Sequence, residues 1–211
     1  MYTPAHFAAE DADALIDRIA MRSAAILVTH ELEATHLPIL WDSARKIATG
    51  HIARANPQWK GGDGPGLMIL AGPAAYVSPG WYPSKAENGK VVPTWNYEAV
   101  HLTGRVEWFD DAARLEALVR ALSVRHEAGR AAPWTLEDAP RPYIEAMLRG
   151  IVGVALHADK VEAKRKLSQN KSAADFAGVA AGLASSCSAV GRELAASMQD
   201  VGASAEEPKQ G

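Results

Sequence analysis

Four short segments concentrate the residues able to do chemistry. Lys90-Val91-Val92-Pro93-Thr94-Trp95-Asn96-Tyr97 joins a strand pattern to a polar, aromatic cluster. The 50–59 segment carries His51, Arg54 and Asn56, the 75–82 segment ends in Trp81-Tyr82, and Lys166-Leu167-Ser168-Gln169-Asn170 completes the set. Aromatic side chains stack on planar rings, while amides, hydroxyls and cations hydrogen-bond a ring edge or grip a phosphate. An apolar core needs none of these polar groups. Arg54 and Asn56 follow a strand pattern and precede Pro57, so both stand at a strand end. Two readings are open there. The guanidinium can hold a phosphate in two-pronged fashion with Asn56 adding an amide, or Arg54 can form a loop salt bridge beside a turn-forming Asn-Pro pair. Trp95 and Tyr97 fall on one face of a regular strand and Asn96 on the other. That suits a ring-binding wall, but taken singly these residues read as a core face with a surface Asn. Trp81-Tyr82 read as exposed, in the manner of an interface anchor.

Composition narrows the classes. A net charge of −3 over 211 residues argues against a broadly cationic, DNA-coating surface. The most basic run, 160–171, can serve phosphate groups of a small ligand as well as DNA, and no helix-turn-helix with a basic recognition helix is visible. DNA binding is thus open but unsupported by charge or motif. The single Cys187 rules out an intramolecular disulfide and a Cys-rich metal site. His30 and His36 straddle a turn next to Glu31 and Glu33 and read as exposed turn residues, so no metal is expected. The glycine-rich stretch 61–66 is interrupted by Pro65 and followed by a strand, which makes it a hairpin loop rather than a phosphate-binding one. No Walker sequence, Gly-x-Ser-x-Gly elbow or His-Glu-x-x-His occurs, and no catalytic acid or base stands out. The N-terminus lacks a basic-then-apolar signal pattern, and no apolar run reaches the roughly 18 residues of a membrane span. The expectation is a cytoplasmic protein without membrane contact.

The elements that position these residues read as mainly β. Helices are predicted at 11–21, 111–128, 140–148, from Ser172 onward, and from the Ser185–Ser188 interruption to about Val201. Strands are predicted at 24–29, 35–41, 46–53, 67–70, 75–78 and 91–109, and at 151–156 with a continuation over 161–167. Glu31-Leu32-Glu33 predicts a hairpin, Gly72-Pro73 a turn, and Gly104 a bulge or bend. Many strands with few helices between them suggest a small barrel rather than a doubly wound sheet.

In chain order, the 1–7 start, His36-Leu37-Pro38, the 50–59 segment, Gly72-Pro73 through Lys85, Val91 through Tyr97 with Val100-His101, and Lys166–Asn170 together resemble the PaiB-type family of FMN-binding negative transcriptional regulators. The short Glu31–Glu33 turn departs from the longer glycine-containing hairpin expected of that family. The resemblance covers roughly 1–185, and nothing after Ser185 matches a motif. It implies a mainly β fold with peripheral helices, a split β-barrel of the FMN-binding, pyridoxamine-phosphate-oxidase-like type over 1–185. Residues 186–211 then form a C-terminal helical extension and frayed tail. It implies a homodimer with FMN in clefts between subunits. His51, Arg54 and Asn56 match the phosphate-holding segment. Trp95 and Asn96 match the strand flanking the ring. Lys166, Ser168, Gln169 and Asn170 match a stretch that closes the site, and His36 and Lys85 are carried over as further candidates. Negative transcriptional regulation, direct or indirect, is the function implied. A flavin-dependent oxidoreductase and a haem-binding or haem-degrading protein are the alternatives.

Overall fold

The computed structural model describes the backbone of residues 1–206 and the side chains of residues 1–201. Residues 207–211, part of the tail expected to fray, lie outside the described residues. Helix α1 (Ala12–Ala20) starts where the Asp11 carboxylate accepts the Ala14 N–H, and it buries Leu15, Ile16, Ile19 and Ala20. Strand β1 (Ala25–Thr29) buries alternate residues and pairs with β2 (Ala34–Leu37) through the predicted hairpin. The connection is tight enough to force Leu32 to a φ of 62°.

The predicted single strand at 35–41 is two strands, and Pro38 is the reason. Without an N–H it cannot serve a ladder, and the chain changes partner there. β2 pairs with β1, while β3 (Ile39–Asp42) pairs with β4 (Ile47–Ala53). A second correction has the opposite sign. Gly72-Pro73 does not turn the chain, because β5 runs unbroken from Gly64 to Val77. Its pairing with β1 covers only Gly66–Ile69, so Pro73 lies beyond the residues that β1 engages. Gly104 likewise marks no break in β6 (Thr94–Phe109). A Cβ there would collide with the His157 carbonyl, so the glycine allows two backbones to approach closely.

Strand β7 (Ile151–Lys166) realises the predicted continuation, and the seven strands follow the order β2-β1-β5-β6-β7-β4-β3. The pairings of β1 with β2 and β5, and of β4 with β3 and β7, are antiparallel. The two ends of that order, β2 and β3, are consecutive in the chain with Pro38 alone between them.

Contacts divide the chain into two compact units, each discontinuous in sequence. One comprises 11–71 and 100–162. Between β5 and β6 the chain forms α2 (Ser84–Asn88), which belongs to the other unit. In the 11–71/100–162 unit, α3 (Ala112–Glu127) is capped by Asp111, and α4 (Arg141–Arg149) follows it. Leu115, Leu118 and Leu122 of α3 and Ile144 and Leu148 of α4 form a core with Phe109 and Ala155. The other unit comprises 1–10, 72–99 and the chain from Ala163 on. Its core joins Val77, Tyr82 and Leu167 to Val179 and Leu183 of α5 (Ala173–Ala184) and to Leu194, Ala195 and Met198 of α6 (Ala189–Glu206). The helix predicted from Ser172 onward starts there, with the Ser172 hydroxyl accepting the Asp175 N–H. Trp81-Tyr82 are not exposed as read. Tyr82 is buried, and Gly178 and Gly182 leave room on α5 for the Trp81 backbone and ring.

Candidate functional site

The strand end at Arg54 belongs to the 11–71/100–162 unit. Arg54 Nε donates to the Arg149 carbonyl at 2.8 Å and Nη2 to the Ile151 carbonyl at 3.1 Å, while Nη1 stands 3.5 Å from Asp110. The guanidinium thus pins the end of β4 to the start of β7. Asn56 Oδ1 accepts the Gln58 N–H and its amide donates to Thr35 Oγ1, which forms an Asx turn that starts the following 3₁₀ turn. His51, opposite Gly153 in the β4–β7 ladder, has a buried Nδ1 with no hydrogen-bond partner among the described residues. Burial lowers its pKa from the ordinary 6.5, favouring the neutral ring. His36 is exposed on β2.

Five of the other predicted residues come together in the second unit. Asn96 is fully buried and Trp95 is 56% exposed, so the faces of this strand are the reverse of a core Trp with a surface Asn. Asn96 Oδ1 accepts the Ser168 hydroxyl at 3.1 Å, and its amide points at Met198 Sδ of α6. Lys166 Nζ lies 2.5 Å from both Thr94 Oγ1 and the Trp95 carbonyl. No carboxylate is within ion-pair distance of Lys166 among the described residues. Burial, with the charges of Lys164 and Lys171, lowers its pKa from the ordinary 10.5. Gln169 folds back, accepting the Leu167 N–H and donating to the Arg165 carbonyl, which shapes the turn where Ser168 takes a φ of 67°. Asn170 is exposed, as is Lys85 on α2.

Three features escaped the sequence reading. Tyr76 stands edge-on to Trp95, with ring centroids 6.3 Å apart. Arg165 forms a 2.8 Å ion pair with Glu98, whose side chain is fully buried. In the first unit, Glu107 bonds Arg114 and His157. Those bonds, Arg114 first, hold the Glu107 carboxyl below its ordinary 4.5. A pKa depressed by folding means stability present above the unfolded value and lost as pH falls through the folded one. Glu107→Gln is therefore expected to flatten the acid side of the stability curve below about pH 4.5, with urea midpoints measured across that range as the check. An unchanged acid limb would contradict it.

The family described as "Putative FMN-binding domain" matches residues 1–160. Over 207 residues the chain is 32% identical to the protease synthase and sporulation protein PAI 2 of Bacillus subtilis (strain 168), covering 95% of this chain and 97% of that protein. The chain belongs to this PaiB-type FMN-binding family. A relative at 30% identity, an uncharacterized protein (AFUA_5G13800) of Aspergillus fumigatus, shares 81% of this chain and 83% of its own length. Among solved structures, the conserved hypothetical protein Rv2991 of Mycobacterium tuberculosis is similar in fold (TM-score 0.52, 12% identity, 82% of this chain and 94% of that one). So is the flavocytochrome Anf3 of Azotobacter vinelandii (TM-score 0.50, 14% identity, 81% and 75%). The fold is the split β-barrel expected of the PaiB type, and the family is a flavin-binding one. Among the described residues no helix is long and apolar enough to cross a membrane.

Proposed function

We propose that this PaiB-type chain binds FMN, as a cytoplasmic homodimer, and acts in negative transcriptional regulation without reading DNA sequence itself. The observation that carries the flavin reading is Lys166. Its ammonium is partly buried beside an exposed Trp95 and has no carboxylate partner among the described residues. A cation left without an anion costs stability, and a ligand bringing both an anionic group and a planar ring offsets that cost. The orphaned His51 Nδ1 is a second group that a polar ligand would satisfy. Bound flavin would supply redox or effector chemistry, and Lys166 and Trp95 would bind and orient it. Titration of the full chain with FMN, followed by flavin absorbance and fluorescence, tests this. Saturable binding with riboflavin weaker than FMN is expected, and no saturation at hundreds of micromolar, roughly the weak end of specific binding, would sink it.

The exposed Tyr76, Val92 and Trp95 favour a dimer, since large apolar side chains left in water mark interfaces. An obligate interface buries above roughly 2,000 Å². Light scattering reporting a monomer at working concentration would overturn that part.

The basic run argues against direct DNA reading. Lys160 pairs with Glu162, Lys164 bonds the Tyr2 carbonyl, and Arg165 is engaged by Glu98. Any DNA binding is expected in the non-specific range and steeply salt-sensitive. About a thousandfold preference for one promoter over random duplex would contradict this.

A further inference from the structure

The 11–71/100–162 unit holds a cavity of about 280 Å³ between α3 and the β3–β4 pair. None of the residues discussed for flavin lines it. Its walls are apolar: Leu40 and Trp41 from β3, Ile47 from β4, Phe109 at the end of β6, and Leu118 from α3. Three polar residues complete the lining, Asp42, Thr49 and Arg114. We propose that this cavity binds a single apolar α-amino acid, or a zwitterion of that size.

The walls are held rather than collapsed. Trp41 Nε1 donates to the Asp13 carboxylate at 2.7 Å, which fixes the indole as a rigid wall. Arg114 lies over the Phe109 ring at 3.6 Å, and its Nη1 is drawn to Glu107. The first turn of α3 therefore directs its long side chain toward β6, and does not use it to fill the gap. A guanidinium has five N–H donors. Among the described residues Arg114 spends only Nη1, so an oriented cation retains donors for a carboxylate. Asp42 is the opposite charge in the lining. One oxygen accepts the Arg45 N–H and the other stands 3.8 Å from Arg45 Nε, with the side chain 46% exposed. It keeps acceptor capacity for an ammonium. An open apolar pocket lined by a guanidinium with donors beyond its Glu107 pair, and by a half-exposed carboxylate, matches a molecule with an apolar body, a carboxylate and an amine. Size sets the scale, because drug-sized pockets begin near 300 Å³ and this cavity falls just short of them.

Calorimetric titration of the full chain with L-phenylalanine is the test, with 3-phenylpropanoate (no ammonium) and phenethylamine (no carboxylate) as the single-charge analogues. Saturable binding of phenylalanine is expected, with each analogue weaker by at least about tenfold. Asp42→Asn should weaken phenylalanine by a similar factor while leaving 3-phenylpropanoate unchanged. Because Asp42 is half exposed, this variant is expected to keep a wild-type circular dichroism melt, which separates loss of the site from loss of the fold. Arg114→Gln should weaken phenylalanine and leave phenethylamine unchanged. No saturable heat up to about 10 mM phenylalanine overturns the proposal. Equal binding of phenylalanine and 3-phenylpropanoate, or an unaffected Asp42→Asn, overturns the zwitterion assignment. None of these readouts involves flavin, so the outcome is independent of FMN binding.

Discussion

Replacing Arg165 by Met is expected to destabilise the unit that contains it by about 3–5 kcal/mol, the cost typical of breaking a buried ion pair. The substitution keeps the volume and removes the charge. It leaves the Glu98 carboxylate, fully buried, without its guanidinium, and it removes the 3.3 Å bond from Arg165 Nη2 to the Ser197 carbonyl of α6. Equilibrium denaturation in urea measures the loss. The double variant Arg165→Met/Glu98→Gln should recover part of it, since the buried carboxylate charge is then gone. A single variant within about 1 kcal/mol of wild type would show that the pair behaves like an exposed one. The same experiment tests α6, since Ser197 and Met198 tie that helix to the β6–β7 polar cluster.

Lys166→Met is expected to weaken FMN by about 2–3 kcal/mol, near a hundredfold, through loss of a charge-assisted contact. Stability should change little, because no carboxylate is stranded among the described residues and relief of a partly buried charge offsets the lost Nζ bonds to Thr94 and the Trp95 carbonyl. Lys166→Arg should retain part of the affinity. Arg54→Ala makes the contrast. It releases two carbonyls and Asp110, so it should lower stability whatever it does to flavin. Measuring affinity and melting on both variants separates a ligand-facing cation from a structural one. If Lys166→Met binds FMN as wild type does, the flavin reading loses its carrying observation.

Legibility followed the range of each interaction. Caps are local, so the helix starts at 111 and at Ser172 could be read where they stand. Period-two alternation put Trp95 and Asn96 on opposite faces, but it carries no sign. Which face is inside depends on α6, whose Met198 lies 102 positions from Asn96. Arg165 and Glu98 are 67 positions apart on neighbouring strands, and neither residue's neighbours hint at the other. The outcome of proline was not legible: the sequence pattern runs one strand through Pro38 and puts a turn at Pro73, and neither holds. Pro38 changes the strand's partner and Pro73 is simply absorbed, because the missing N–H matters only where a ladder would have used it. Arg54 and Asn56 carried both readings from the start, and the geometry weights the structural one.

The joining of β2 to β3 through Pro38 bears on how this protein survives at high concentration. The outermost strands of an open sheet offer unpaired N–H and C=O groups to any passing chain, and such edges seed aggregation. Here the two outermost strands are immediate neighbours along the chain. Pro38, the single residue between them, offers no N–H to a foreign strand. A strand pairing across that point would find one donor missing. One residue between two strands thus interrupts the row of edge donors at the point where the two outermost strands join.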